Sequence, residues 1–197
     1  MTDRLDLVAL VASRICHDLI SPIGAIGNGV ELISLEGVAA APEMALISES
    51  VASANARIRF FRIAFGACGQ DQRIGRSEVS GLLADMAQGG RIKLVWDSPS
   101  ELARRDVKLA LLLHLCLENA MPYGGEVSII GAPDRWVLHA SSPKLRVNTA
   151  LWDWLQGETY ADIGPAQVQF ALAPEELARQ NRRLTSEISE TEIRLSF

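Results

Sequence analysis

The first third of the chain carries apolar or small residues at spacings of three and four. Such spacing over residues 5–35 predicts one long amphipathic helix. Its apolar positions are Val8, Ala12, Ile15, Leu19, Ile23, Ile26, Val30 and Ile33. Residues 47–65 repeat the pattern without a break, as in the seam of a left-handed helical bundle. These positions are Ile47, Val51, Ala54, Ile58, Phe61 and Phe65. The intervening residues 36–42, with Gly37 and Pro42, predict a turn, so the segment forms a helical hairpin.

A hairpin of two helices has too narrow an apolar seam to exclude water from both sides. Such a hairpin buries the seam by pairing with a second copy, which gives a four-helix bundle. The sequence therefore predicts a homodimer through its N-terminal segment.

Downstream of the hairpin, the pattern changes at a polar, glycine-rich connector, residues 66–75. Beyond it we predict helices at 77–87, 103–121, 149–156 and 165–180. We also predict strands at 91–96, 126–131, 135–140, 183–189 and 192–197. This order of helices and strands predicts an α+β fold, with helices packed on one face of a sheet. We place one domain at 1–72 and a second at 73–197.

Composition removes several classes of protein. The net charge of −5 and the pI near 5.3 argue against a nucleic-acid partner. Unbroken apolar runs such as Leu109–Leu113 are far below the roughly 20 residues that span a bilayer. The first residues lack a signal-peptide pattern, and three cysteines fit free thiols in a reducing compartment. We therefore expect a cytoplasmic protein with no membrane partner.

The segment 13–22, SRICHDLISP, carries the candidate chemistry in the middle of the first helix. His17 falls on the face opposite the predicted seam and should be exposed. The other residues of this face are small, so a partner can approach the imidazole. We call this set the docking face: His17 with Ser13, Ser21, Gly24 and Asn28.

An exposed neutral imidazole can accept a phosphoryl group, because one ring nitrogen keeps a free lone pair, and can pass it on. Asp18 adjoins His17 and is predicted to orient the ring. Arg14, one turn earlier, is predicted to attract phosphoryl oxygens. Pro22 lies inside the helical pattern, where proline removes a backbone donor.

His17-Asp18-Leu19-Ile20-Ser21-Pro22 resembles the H-box of histidine kinases, and the longer segment Arg14–Ile33 resembles the ChpT-type histidine phosphotransferases. The resemblance extends over nearly the whole chain. It implies that His17 is the phosphorylated residue and that the hairpin forms a dimeric four-helix bundle. It also implies that residues from about 75 onward are a degenerate copy of the Bergerat-type ATPase domain of histidine kinases. Such proteins relay phosphate from the receiver domain of a hybrid histidine kinase to response regulators of the CtrA type.

The nucleotide motifs of that ATPase domain are incomplete here. Residues 115–123, LCLENAMPY, resemble the motif that holds magnesium, with Asn119 at the asparagine position. The Asp-x-Gly-x-Gly motif is replaced by ASSPK at 140–144, and the glycine-rich lid by GPAQVQ at 164–169. We therefore expect no bound cofactor and no metal site in this chain, with Mg²⁺ supplied by the partner receiver.

Other interpretations remain open at this point. The alternative functions are an active histidine kinase and a non-catalytic dimeric scaffold that docks receivers. The alternative for His17 is an ordinary surface histidine. His114 and His139 are best explained as core or edge histidines, and Cys16 as a packing residue.

Overall fold

The computed structural model describes residues 6–36, 41–88, 90–132, 134–158 and 161–197. Helix α1 (Leu7–Glu36) and helix α2 (Ala41–Ala64) form the predicted hairpin. Four residues of the predicted turn, 37–40, lie outside the described part of the chain. At Gly29 the two helices approach closely, because an added Cβ would lie 2.6 Å from Cγ1 of Ile47. The absence of a side chain at Gly29 permits this contact.

Helix α1 has two apolar faces, not the single seam of the prediction. The face that packs within the protomer includes Leu10, Ile15, Pro22 and Gly29. The predicted seam is only partly buried within one protomer. Five of its large apolar residues on α1 and α2 are solvent-exposed, and we call them the uncovered face: Val8, Ile23, Val30, Val51 and Ile58.

The described residues of the second domain form four helices, a short 3-10 helix and two sheets. Its helices are α3 (Arg76–Ala87), α4 (Arg104–Ala120), α5 (Thr149–Leu155) and α6 (Gln169–Arg179), with the 3-10 helix at Pro165–Gln167. Its strands are β1 (Arg73–Gly75), β2 (Ile92–Asp97), β3 (Glu101–Ala103), β4 (Gly125–Gly131), β5 (Trp136–Ser141), β6 (Thr185–Ile188) and β7 (Glu192–Ser196). The larger sheet has the order β2-β4-β5-β7-β6, with β2 parallel to β4 and the other pairs antiparallel.

The core lies between the helices and one face of the larger sheet. Alternate sheet residues such as Val127, Leu138 and Leu195 are fully buried there, as are nearly all residues of α4. The opposite face of the sheet carries exposed charges, including the ion pair of Lys93 and Glu126 at 2.9 Å. This confirms the predicted α+β architecture, with a helical hairpin followed by helices on one face of a sheet.

Two elements differ from the sequence prediction. The expected helix at 165–180 is divided into the 3-10 helix and α6 at Val168. Strands β1 and β3 pair into a small sheet that the sequence pattern did not predict. Three-residue strands are too short to show a period of two. The predicted boundary near residue 72 falls between the end of α2 and β1.

Side chains of α4 hold the C-terminal end of α2. The guanidinium of Arg104 donates to the Arg62 carbonyl at 2.9 Å, and Nζ of Lys108 donates to the Gly66 carbonyl at 3.0 Å. Lys108 also pairs with buried Glu176 of α6 at 3.5 Å. Cations at the last carbonyls of a helix satisfy otherwise unpaired acceptors. These contacts tie the hairpin to the second domain.

Helix α1 is also long and apolar enough, by length and composition alone, to cross a membrane. Its segment Leu7–Ile33 has a mean hydropathy of 1.4. Small and polar residues interrupt the apolar residues of this segment, so a criterion of unbroken apolar runs does not detect it. The segment also carries Arg14, His17 and Asp18.

Candidate functional site

His17 lies in the middle of α1 with its side chain 84% exposed. The other predicted docking residues, Ser13, Ser21, Gly24 and Asn28, are also exposed. A Cβ added at Gly24 would have no neighbouring atom within 4 Å, so this part of the helix surface is open. The structure therefore places His17 on an accessible surface made largely of small residues.

Ile20 is a large residue on this surface that the sequence analysis overlooked. It follows His17 by three residues, which places it on a neighbouring part of the helix surface, and it is 68% exposed. The helical spacing contained this signal, because positions three apart lie on the same side of a helix. An exposed isoleucine beside the imidazole offers apolar contact area to a docking partner.

Asp18 contacts both predicted partners through different oxygen atoms. Its Oδ1 lies 3.0 Å from Nδ1 of His17, and its Oδ2 accepts a hydrogen bond of 2.8 Å from Nε of Arg14. Asp18 and Arg14 are largely buried, with side chains 12% and 17% exposed. The structure thus brings the three predicted chemical residues together.

The Asp18 contact selects one form of the His17 ring. A carboxylate only accepts hydrogen bonds, so the nitrogen beside it must carry the proton. With Nδ1 protonated, a neutral imidazole has its lone pair on Nε2, which is the nitrogen left for chemistry. This geometry agrees with an orienting role for Asp18.

Arg14 is placed differently from the role predicted for it. Its Nε is bonded to Asp18, and its Nη1 donates to the carbonyl of Ala166, at 2.8 Å, in the 3-10 helix of the second domain. The guanidinium therefore holds Asp18 in this structure. Steadying of a phosphoryl group by Arg14 stays a prediction.

Pro22 is buried inside α1, and the helix continues through it to Glu36. In an α-helix, the backbone donor of residue 22 would pair with the carbonyl of Asp18, and proline has no such donor. The proline therefore leaves the Asp18 carbonyl without its usual helical partner.

The segment after β5, which stands in place of the Asp-x-Gly-x-Gly motif, is hydrogen-bonded within the second domain. Residues after β5 return to the end of α4, where the backbone N–H of Arg146 donates to the Ala120 carbonyl at 2.9 Å. Oγ of Ser142 donates to the Gly124 carbonyl at 2.8 Å. Asn119 is exposed. Among the described residues, no three His, Cys, Asp or Glu side chains are grouped to hold a metal.

Two histidines and one cysteine of the second domain lie outside this site. His114 is buried in α4, and burial lowers its pKa, with Glu118 acting in the opposite direction. Burial raises the pKa of the Cys116 thiol. His139 lies on β5 with Nε2 3.8 Å from a carboxylate oxygen of Glu192. Cys16, beside His17, is exposed, so the prediction that it is a packing residue is wrong within a single protomer.

Comparison with known proteins identifies the family of this chain. The family model described as "Histidine phosphotransferase C-terminal domain" matches residues 76–192. The curated "Protein phosphotransferase ChpT" of Brucella abortus (strain 2308) is 41% identical over 127 residues, which span 64% of this chain and 60% of that protein. A solved structure titled "1.7 Angstrom Structure of a Bacterial Phosphotransferase" superimposes with a TM-score of 0.80 at 33% identity, covering 100% of this chain and 97% of that one. The chain belongs to the histidine phosphotransferase family.

Proposed function

We propose that the protein carries a phosphoryl group on Nε2 of His17, between receiver domains of a two-component phosphorelay. The observation that carries the proposal is the exposed His17 ring, with its Nδ1 hydrogen-bonded to Asp18 at 3.0 Å. A relay residue must be reachable by two partners in turn, and the docking face is open.

Transfer of the phosphoryl group from a receiver to His17 needs no further reactant. The Nε2 lone pair of His17 attacks the phosphorus of a receiver aspartyl phosphate, an N–P bond forms, and the P–O bond to the aspartate breaks. The receiver carboxylate leaves with the electron pair of that bond. The proton stays on Nδ1, so the phosphorylated ring is cationic and faces the Asp18 carboxylate. The return step to a second receiver reverses these events.

The partners follow from this chemistry and from the relatives. The Brucella relative is named a protein phosphotransferase. The resemblance of residues 14–33 implies a hybrid histidine kinase as donor and CtrA-like response regulators as acceptors. Phosphoryl transfer depends mainly on positioning and on neutralisation of negative charge, and a receiver holds Mg²⁺ beside its own aspartate. We propose that this Mg²⁺ serves the reaction, with no cofactor bound by this chain.

We further propose a homodimer through the uncovered face. Its large aliphatic side chains are exposed on the hairpin, including Ile23 at 58% and Ile58 at 51%. An apolar strip of this kind along two packed helices is suited to bundle formation with a second hairpin. Burial of the strip in a four-helix bundle also explains an apolar α1 in a cytoplasmic protein.

An active kinase and a docking scaffold are the competing functions. A kinase needs a nucleotide site, and the segment after β5 is hydrogen-bonded to the end of α4 through Arg146. Measurable ATP binding by calorimetry would support the kinase. A scaffold needs no acceptor histidine, so receiver docking without phosphorylation of His17 would support the scaffold.

The test is a phosphotransfer assay with a radiolabelled, phosphorylated receiver. We expect the unmodified protein to acquire acid-labile label and to pass it to a second receiver. We expect His17→Gln to acquire none, while it retains its fold, because the side chain is exposed. Acid-labile label on His17→Gln would place the acceptor elsewhere.

A further inference from the structure

The second domain reaches the phosphoacceptor helix through the 3-10 helix at Pro165–Gln167. The Ala166 carbonyl accepts a 2.8 Å hydrogen bond from Nη1 of Arg14. Nε of the same guanidinium donates to Oδ2 of Asp18, and Oδ1 of Asp18 lies within hydrogen-bonding distance of Nδ1 of His17. A continuous series of three polar contacts thus joins the backbone of the second domain to the reacting ring.

The Ala166 carbonyl is itself fixed to the core of the second domain. Nε2 of Gln169 donates to this carbonyl at 3.1 Å and to the Leu115 carbonyl of α4 at 3.4 Å. Gln169 is only 1% exposed. A second hydrogen bond spans the 3-10 helix, because the backbone N–H of Gly164 donates to Oε1 of Gln167 at 3.1 Å. The carbonyl therefore has a set position relative to α4.

A fixed acceptor for Arg14 has a consequence at His17. The planar guanidinium presents its donors in a rigid fork, so Ala166 and Asp18 together define its orientation. With Oδ2 held by Arg14, rotation of the carboxylate is restricted and Oδ1 stays directed at Nδ1 of His17. The partner of one ring nitrogen determines which nitrogen carries the proton. The series of contacts therefore acts on the tautomer and aim of the ring.

We propose that the second domain positions His17 for transfer, through Gln169, the Ala166 carbonyl and Arg14 acting on Asp18. The segment that stands in place of the nucleotide lid thus serves as a support for the phosphoacceptor. Arg14 and Gln169 are positioning residues, since neither touches the reacting atoms. The inference rests on the proposed role of His17 as phosphoryl acceptor.

The test uses the full-length protein with two variants and one matched control. Arg14→Gln removes the guanidinium that joins the Ala166 carbonyl to the Asp18 carboxylate. Gln169→Leu removes the anchor of the Ala166 carbonyl in the other domain and replaces a buried amide, whose Oε1 has no partner, with an apolar group of similar size. Arg59→Gln is the control, because Arg59 of α2 also pairs across the domains, with Asp85 of α3, but takes no part in these contacts.

Two readouts separate positioning from folding. The first is the ¹⁵N chemical shifts of the His17 ring, which report the tautomer. The second is the rate of transfer from a phosphorylated receiver at saturating concentration, measured together with the KM for that receiver. In the unmodified protein we expect the neutral His17 ring to carry its proton mainly on Nδ1, and in both variants we expect this preference to be lost. We also expect both variants to slow transfer by between about 10- and 100-fold, with little change in the KM for the receiver. The control should match the unmodified protein in both.

Several results would overturn the inference. Arg14→Gln with an unchanged tautomer and rate would remove Arg14 from the positioning of His17. A loss confined to Arg14→Gln, with a folded Gln169→Leu behaving normally, would remove the second domain from the mechanism. An equal loss in Arg59→Gln would assign the effect to domain packing in general. If the unmodified protein accepts no phosphate, the proposed function fails, while the ¹⁵N shifts still decide the inference.

Discussion

Asp18 is the residue on which the geometry around His17 depends, because its two oxygens serve different partners. In Asp18→Asn, an amide oxygen can still accept from Nδ1, but the charge that balances the cationic phosphorylated ring is lost. We expect the single-turnover transfer rate to fall by about 100-fold without reaching zero. Rapid-quench measurement with a labelled receiver checks this. A rate equal to that of the unmodified protein, or a complete loss as in His17→Gln, would contradict the assigned role.

Ile20 contributes to docking and not to chemistry in this account. Because the side chain is 68% exposed, Ile20→Ala should leave protein stability within about 0.5 kcal/mol. We expect the Kd for a receiver to rise several-fold, with the rate at saturation nearly unchanged. Leu32→Ala is the matched control, since Leu32 is 44% exposed on the same helix but about three turns away from Ile20. Equal effects of the two substitutions on the Kd would contradict docking at Ile20.

At the scale of elements, the uncovered face of the hairpin decides the oligomeric state. Ile58 is 51% exposed in the protomer, so Ile58→Asp should not disturb the fold of a single chain. In the proposed dimer the same carboxylate would be buried without a partner, which destabilises the dimer by several kcal/mol. We expect light scattering at micromolar concentration to show a dimer for the unmodified protein and a monomer for the variant.

Val95→Asp provides the control for this experiment. Val95 is also apolar and exposed, at 41%, but lies on β2 of the second domain. The substitution adds the same charge to the protein and should leave the dimer intact. A monomer for the unmodified protein, or a dimer for Ile58→Asp, would contradict the bundle.

The elements were largely predictable from periodicity, whereas their partners were not. Helix α4 was predicted at 103–121 and runs from Arg104 to Ala120, because its apolar residues are continuous. Spacing alone did not separate the face of α1 that packs within the protomer from the uncovered face, because a bundle helix touches two neighbours. The Arg14–Ala166 contact joins residues 152 positions apart, and no local pattern records such a pair.

At the scale of the whole molecule, stability should depend on pH through His114. Burial lowers the pKa of His114 in the folded protein below the ordinary value of about 6.5. Below pH 6.5 the unfolded chain therefore binds a proton that the folded chain does not yet bind. The free energy of unfolding should fall as pH drops through this window, by at most about 1.4 kcal/mol per pH unit.

Urea unfolding of the unmodified protein and His114→Leu, at intervals from pH 8 to pH 5, measures this contribution. Other groups add to both curves, so the prediction concerns their difference. The unmodified protein should lose stability faster than the variant below pH 6.5. Parallel curves would contradict the burial of an uncharged His114.

The central claim is that phosphate passes through this molecule on His17 alone. The most direct measurement loads the full-length protein with ³²P from a phosphorylated receiver, removes the donor, adds a second receiver and follows the label. We predict acid-labile label on the unmodified protein, its transfer to the second receiver, and neither event in His17→Gln. Label on His17→Gln that moves to the second receiver would contradict the account, as would an unmodified protein that binds receivers and never acquires label.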